Sequence, residues 1–302
     1  MESDLQELAD KAVRFATDSG TQYCDIRAEH YERKEALIEN NETEYTRTSN
    51  DSGIGVRLVK DGTWSFFSIT NPDSFEQIKN SIEKAIKNST HYANNKKNKI
   101  NLHPNSHIKS KINFPVLKNP TIEELISISN ECSKIISNTS RIIKSIINPQ
   151  YTNSSKYFTN SEGSEILQNY TDVTVDMIAI AHESGITQSI NVTEGGRGGI
   201  EQIINKNKIQ NKAQEIASRA ASLIDAKPAK EDKTTVVMNP DFVSLLTHEI
   251  LGHPSEADRV MGKEMAWAGG AWWKGKIGEK IGSEKLNVFD DPTIKESLGW
   301  YY

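Results

Sequence analysis

The chain has 302 residues, 36% of them hydrophobic and 25% charged, with a mean hydropathy of −0.59. Thirty-six Lys and Arg stand against 41 Asp and Glu, a net charge of −5, so the basic field of a general nucleic-acid binder is missing. No apolar run approaches the ~20 residues that span a bilayer, and two cysteines, Cys24 and Cys132, cannot build a disulfide scaffold.

The length suggests about two domains at ~150 residues each. The opening Met1-Glu2-Ser3-Asp4-Leu5 has neither a basic nor an apolar leader segment, which points to the cytoplasm and to reduced thiols.

Leu5, Leu8, Ala9, Ala12, Val13 and Ala16 recur at helical spacing, so residues 3–19 are read as an amphipathic helix with Ser3 as its cap. Short strands are expected at 23–30, 33–40, 43–49, 53–60 and 63–70. They are separated by Asn40-Asn41, Asn50-Asp51 and Asp61-Gly62, the last a strong hairpin signal. A helix over 74–89, capped near Asp73 or Asn71, completes a helix–meander–helix layer.

Residues 90–119 are rich in Asn, Lys and Pro and read as a linker-like excursion. Its cationic run Asn94-Asn95-Lys96-Lys97-Asn98-Lys99 fits a solvated loop better than a docking patch. Thr121 with Glu124 three residues on opens a helix over 121–138 in a capping-box pattern. Strands are expected at 141–151, 155–160, 164–182 and 185–194, the clearest being the alternation from Thr171 to Ala181.

Glu194-Gly195-Gly196-Arg197-Gly198-Gly199 lacks the spacings of a phosphate loop. It is either a bend between two elements or backbone lying against a substrate, with Arg197 and Gly198 as the contacts. A helix over 200–225 follows, then a short buried strand at 234–238. Asn239-Pro240-Asp241 caps the next helix. The fold class is α+β, antiparallel sheets with packed helices. The domain boundary is placed near 200, giving 1–200 and 201–302.

That last helix leads into His248-Glu249-Ile250-Leu251-Gly252-His253-Pro254-Ser255-Glu256-Ala257-Asp258. Two imidazoles and a carboxylate within six residues match what a zinc hydrolase uses to bind metal and move the proton of a water. The familiar zinc-peptidase spacing puts the histidines at i and i+4. Here they stand at i and i+5, roughly 140° apart on a regular helix. The helix must therefore be distorted if both are to reach one ion. Gly252 relaxes the backbone, and Pro254 lacks an N–H and disfavours α geometry at His253. A π-type bulge puts i and i+5 on one side, and a wide turn or helix end is expected between Leu251 and Ser255. Spacing alone also admits a satisfied core pair or a cap.

The strings Asp225-Ala226-Lys227-Pro228-Ala229, Thr235-Val236-Val237-Met238-Asn239-Pro240 and His248 to Val260 resemble the TldD/PmbA family of metalloproteases. So do Ile277 to Ser283 and Val288-Phe289-Asp290-Asp291-Pro292-Thr293, with Gly299. The likeness is dense from about Glu194 onward, and the histidine string places the chain on the TldD-like side. The resemblance implies a Zn2+-dependent peptidase acting on unfolded or flexible peptides. It implies a homodimer, or a heterodimer with a PmbA-like paralogue, and no nucleic-acid or membrane partner. Carried over, His248 and His253 are the metal ligands and Glu249 is the general base.

In relatives the third ligand is a cysteine further along the chain. This sequence ends at Trp300-Tyr301-Tyr302, and Cys24 and Cys132 stand in other contexts, so it is expected to be C-terminally truncated. Glu256, Asp258, Cys24 or a partner subunit are the substitutes to consider. The alternative function is a non-catalytic peptide-binding or assembly module of the same family.

Glu256 and Asp258 could instead orient the imidazoles from behind, or form a solvated turn with Arg259. Trp267, Trp272 and Trp273 could line a groove, a dimer contact or a core. If Trp272 and Trp273 lie uncovered, low solubility or self-association follows. His30, His91, His103, His107 and His182 are scattered and carry no pattern.

Overall fold

A computed structural model describes residues 2–95, 99–103, 106–204, 208–267 and 269–294. They divide into two compact units. One is built from residues up to Ala226, joined by the segment from Pro292, and the other is Lys227–Asp291.

The first unit is one seven-stranded sheet with helices, mixed α and β as expected. Its elements are α1 (Glu2–Asp18), β1 (Tyr23–Glu39), β2 (Glu42–Lys60), β3 (Thr63–Thr70), α2 (Phe75–Ala93), β4 (Lys109–Asn113), α3 (Ile122–Ser137), β5 (Ile142–Asn160), β6 (Glu165–Glu183), β7 (Ile186–Arg197), α4 (Glu201–Ile204) and α5 (Lys208–Leu223). The strand order is β3-β2-β1-β5-β6-β4, with β7 also on β6. Every pairing is antiparallel except β4 on β6.

Alternation decides which face is covered. Even-numbered positions of β1 point to the helices. Cys24, Ile26 and Ala28 join Ile78, Ile82 and Ala12 in one core, and Ala36 and Ile38 join Leu125, Val175 and Ile216 in another. The Thr171–Ala181 alternation is realised as a buried row of Val173, Val175, Met177, Ala179 and Ala181.

The strands are fewer and longer than the sequence reading. A two-residue hairpin of the favoured type needs φ > 0 at both central residues. Asn40–Asn41 (φ 48° and 70°) and Asp61–Gly62 (52° and 74°) take it, as do Ser184–Gly185 (50° and 82°). Asn50 and Asp51 stay in the ladder opposite Glu32 and Tyr31, so β2 runs on without a break.

The linker-like stretch 90–119 also needs correcting. Its first residues finish α2, and Lys109–Asn113 forms a short parallel strand on the part of β6 that β7 leaves uncovered. Only Ile112 is apolar there, so no periodic signal announced it. Asn98 and the two lysines before it lie outside the described residues.

Caps follow the local chemistry at α3. The Thr121 hydroxyl accepts from the Glu124 N–H at 3.2 Å, and the Glu124 carboxylate accepts from the Thr121 N–H at 3.0 Å. Such a cap contributes about 1 kcal/mol. At α2 the cap is Ser74, with no side-chain bond. Asn71 instead accepts from the Ser52 N–H, which ties the strand end. The Ser3 side chain lies outside the described residues.

The boundary near 200 moves. Ile203, Ile209, Ala213, Ile216, Ala217 and Ala220 are buried against β6 and β7, so α4 and α5 belong to the first unit, which runs to Ala226. The expected buried strand at 234–238 is also absent. Among the described residues nothing pairs with it, and Val236 and Val237 are 68% and 95% exposed. A strand with no ladder partner leaves its own polar backbone for water. Among the described residues, no helix is long and apolar enough to cross a membrane.

Candidate metal centre

The second unit is built around a helix whose start the sequence dictates. Asn239 Oδ1 accepts from the Phe242 N–H at 3.0 Å and Pro240 takes the first turn of α6 (Pro240–Thr247). The register then widens. Residues His248–Gly252 form a π turn, in which the His253 N–H donates to the His248 carbonyl five residues back. A 3₁₀ turn over His253–Ser255 and a short α7 (Ala257–Val260) follow.

The wide turn brings the two imidazoles together, with ring centroids 4.4 Å apart at 71°. One ligand atom each from His248, Glu249 and His253 lies within 4.8 Å of the others. His248 and Glu249 are exposed and His253 is half-buried.

The donor set fits a zinc ion. Imidazole nitrogen and carboxylate oxygen are donors that zinc takes at about 2.0–2.2 Å, and the three atoms stand within 4.8 Å of one another. Among the described residues this is the one such cluster of His, Cys, Asp or Glu.

His253 Nδ1 lies 2.8 Å from Glu256 Oε1, and Arg259 Nε lies 2.8 Å from the other carboxylate oxygen. The bond to His253, then the Arg259 charge, holds the Glu256 carboxyl below the usual range, so it is ionised at neutral pH. With Nδ1 donating to Glu256, the His253 Nε2 lone pair is the one left for a metal. Asp258 does not share this arrangement: its carboxylate accepts from the Arg259 N–H.

Arg197 and Gly198, the expected substrate contacts, belong to the first unit. Arg197 is 3% exposed in the first unit, its Nε 2.9 Å from Asp172 Oδ1 and its guanidinium over the Tyr170 ring at 4.0 Å. The Gly198 N–H donates to the Thr171 carbonyl, and a side chain there would meet Gln202 at 2.7 Å. Both residues have partners within the first unit, at the end of β7. Cys24 and Cys132 are fully buried in the cores of the first unit, where burial pushes both thiols up to about 12.

Sequence reasoning missed two donors at the turn. The Ser255 hydroxyl donates to the Leu251 carbonyl, and the Trp272 indole N–H donates to the Ile250 carbonyl at 3.0 Å. The first could have been suspected from a Ser after Gly252-His253-Pro254; the second joins residues 22 apart and left no local signal.

Three consecutive parts of the chain match the domains of one family: PmbA/TldA metallopeptidase domain 1 over residues 24–89, the central domain over 115–224 and the C-terminal domain over 231–302. A metalloprotease of Methanocaldococcus jannaschii is 31% identical over 92% of this chain and 60% of its own length. A metalloprotease of Methanothermobacter thermautotrophicus is 26% identical over 100% and 63%. A zinc metalloprotease TldD homologue of Saccharolobus solfataricus is 25% identical over 96% and 62%. The chain thus spans about three-fifths of the length of the curated relatives it matches. Among solved structures, a candidate modulator of DNA gyrase from Bacteroides thetaiotaomicron superposes with a TM-score of 0.78 at 16% identity, over 96% of this chain and 64% of that one. TldE from Thermococcus kodakarensis does so with 0.64 at 16%, over 97% and 64%. These two share the fold. With a five-residue histidine spacing resolved into a π turn, and matches running from residue 24 to the last residue, the chain belongs to the PmbA/TldD family of metallopeptidases.

Proposed function

We propose that the protein is a zinc-dependent peptidase acting on unfolded or flexible peptides, and that His248, Glu249 and His253 carry its chemistry. The observation behind this reading is the convergence of the three ligand atoms on one side of a widened turn. His248 and His253 would hold the metal. A bound zinc ion supplies Lewis acidity and lowers the pKa of a water to ~7. The Glu249 carboxylate would take a proton from the attacking water and pass it to the amine nitrogen as the scissile C–N bond breaks. Glu256 fixes the tautomer of His253 and carries negative charge behind it, which raises the basicity of the ring.

The substrate reaches an exposed pair of side chains, which suits an extended peptide. Assembly as a homodimer, or with a PmbA-like paralogue, rests on the family and on the TldE structure among those that share the fold. A second reading, a peptide-binding or assembly module without catalysis, is favoured by one observation. Among the described residues no side chain beyond these three joins the cluster.

The test is metal content and peptide turnover on one preparation. About one zinc per chain, lost in His248→Ala, is expected. Glu249→Gln should keep the metal and lose turnover by 10²-fold or more. Metal bound equally without His248 would dismiss the site, and turnover unaffected by Glu249→Gln would dismiss the mechanism.

A further inference from the structure

The break in the helix at His248–Ser255 leaves carbonyl groups without their usual donors. In an α-helix the Ile250 carbonyl accepts from the N–H of residue 254. That residue is Pro254, which has none. The neighbouring N–H of His253 is engaged by the His248 carbonyl. The Leu251 carbonyl is served by the Ser255 hydroxyl. For Ile250 the donor comes from outside the helix: the Trp272 indole N–H, 3.0 Å away.

We propose that Trp272 is a positioning residue for the histidine pair, its indole N–H substituting for the donor Pro254 lacks and so holding open the wide turn that puts His248 and His253 on one side. The inference deepens the metal reading above and, for its effect on affinity, rests on it.

Geometry links the bond to the site. Ile250 lies between Glu249 and His253 inside the five-residue loop closed by the His253 N–H, so a clamp on its carbonyl fixes the middle of that loop. If the carbonyl lost its partner, the backbone N–H within reach would be that of His253 in 3₁₀ register, since Pro254 has none. At three residues per turn that register turns the two imidazoles roughly 120° apart. Trp272 also stacks its ring face toward Lys276, whose Nζ lies 6.0 Å from the ring centroid, and it lines a cavity of about 500 Å³ with Ile250, Leu251, Ile281, Leu286 and Val288. The ring is therefore held by contacts separate from its N–H, which lets the two roles be separated by experiment.

The comparison uses the whole chain in four forms. They are the unaltered protein, Trp272→Phe, a variant carrying benzothienylalanine at 272 (an isostere without the N–H) and Trp267→Phe as a control at a 91% exposed tryptophan. The first readout needs no metal: hydrogen exchange at the His253 amide, the donor that closes the π turn. Both 272 variants should exchange there at least tenfold faster, while Trp267→Phe does not. The second readout is affinity for Co2+ or Zn2+ by competition with a chelator, together with the visible Co2+ spectrum. The 272 variants should bind at least tenfold more weakly with an altered Co2+ band.

His253 exchange within twofold of the unaltered chain in the isosteric variant overturns the proposal, whatever the metal does. Faster exchange in a protein that shows no His248-dependent metal binding supports the role of Trp272 in the turn and refutes the metal reading alone. If Trp272→Phe fails to fold, the isosteric variant decides.

Discussion

Gly195 offers the sharpest quantitative test of how the first unit is joined. It sits in β7 opposite Thr174 with φ 140°. A Cβ built there would lie 2.0 Å from the Val173 carbonyl oxygen and 2.8 Å from the Thr174 Cα. Both obstacles are backbone, so Gly195→Ala must part β6 from β7 by more than an ångström. One or two ladder bonds weaken, at about 1 kcal/mol each, and overpacking adds roughly 1–3 kcal/mol. Reduced freedom of the unfolded chain offsets about 0.4–1 kcal/mol. The net expectation is a loss of about 3 kcal/mol.

Gly185 supplies the control. It also has a positive φ, 82°, but nothing lies within 4 Å of its built Cβ. Gly185→Ala carries only the left-handed penalty of roughly 1–2 kcal/mol, so its net cost is about 1 kcal/mol or less. Urea unfolding followed by far-UV circular dichroism at the strand minimum separates the two. At about 2–3 kcal/mol per molar, the midpoints should differ by about 1 M. Equal midpoints would show that the strands yield without cost. Unchanged stability with impaired peptide turnover in Gly195→Ala would instead revive a substrate role for the glycine-rich segment.

Four other outcomes are expected. Glu256→Gln removes the acceptor charge behind His253 and should weaken metal binding 10–100-fold, measured by chelator competition; unchanged affinity would mean that the bond does not steer the ring. Asp25 has a fully buried side chain between Arg27 and Arg57, at 2.9 and 2.7 Å, so Asp25→Ala should cost about 3 kcal/mol in the same urea assay, and a cost under 1 kcal/mol would refute the pairing. Cys24 and Cys132 have folded-state pKa values raised from 9.0 to about 12, so the folded chain holds those protons longer than the unfolded one. Their contribution to stability is whole below pH 9 and is lost as pH rises from 9 toward 12, and native thiols should resist alkylation at pH 8; rapid labelling there would place them at the surface. In the second unit Pro254 is the one buried residue among those described, and Phe242, Leu245, Trp267 and Phe289 are exposed, so the chain on its own should bind anilinonaphthalene sulfonate and self-associate; a monodisperse, dye-free monomer by light scattering would refute this.

What the sequence disclosed was whatever depends on neighbours along the chain. Asp61-Gly62 made its hairpin, Thr121 and Glu124 their reciprocal cap, and Asn239-Pro240 the start of α6. The break in the helix is the strongest case, because Gly252 and Pro254 act through backbone limits that are local by nature, although the widened turn spans His248–Gly252, ahead of the expected Leu251–Ser255, where a 3₁₀ turn follows. What it hid depended on distant partners. The partners of Arg197, a carboxylate at Asp172 and an aromatic face at Tyr170, both lie across the ladder. The polar stretch Lys109–Asn113 became a strand only because β6 offered it an open edge.

The same division runs through the candidate metal centre. A proline five residues beyond Glu249 breaks the helix and makes the ligand spacing workable, yet breaking it strands a carbonyl at Ile250. The remedy stands 22 residues away in Trp272, beyond the reach of any periodicity. A turn that is widened by its own sequence but held by a remote donor should therefore be selective about substitution. Exchanging Pro254 for Ala would give Ile250 a local partner, remove the need for Trp272 and let the α register return. Affinity for metal should fall in Pro254→Ala even though the helix gains a hydrogen bond and the unit gains stability. Stability and affinity rising together in that variant would contradict the whole account of why the histidines stand five apart.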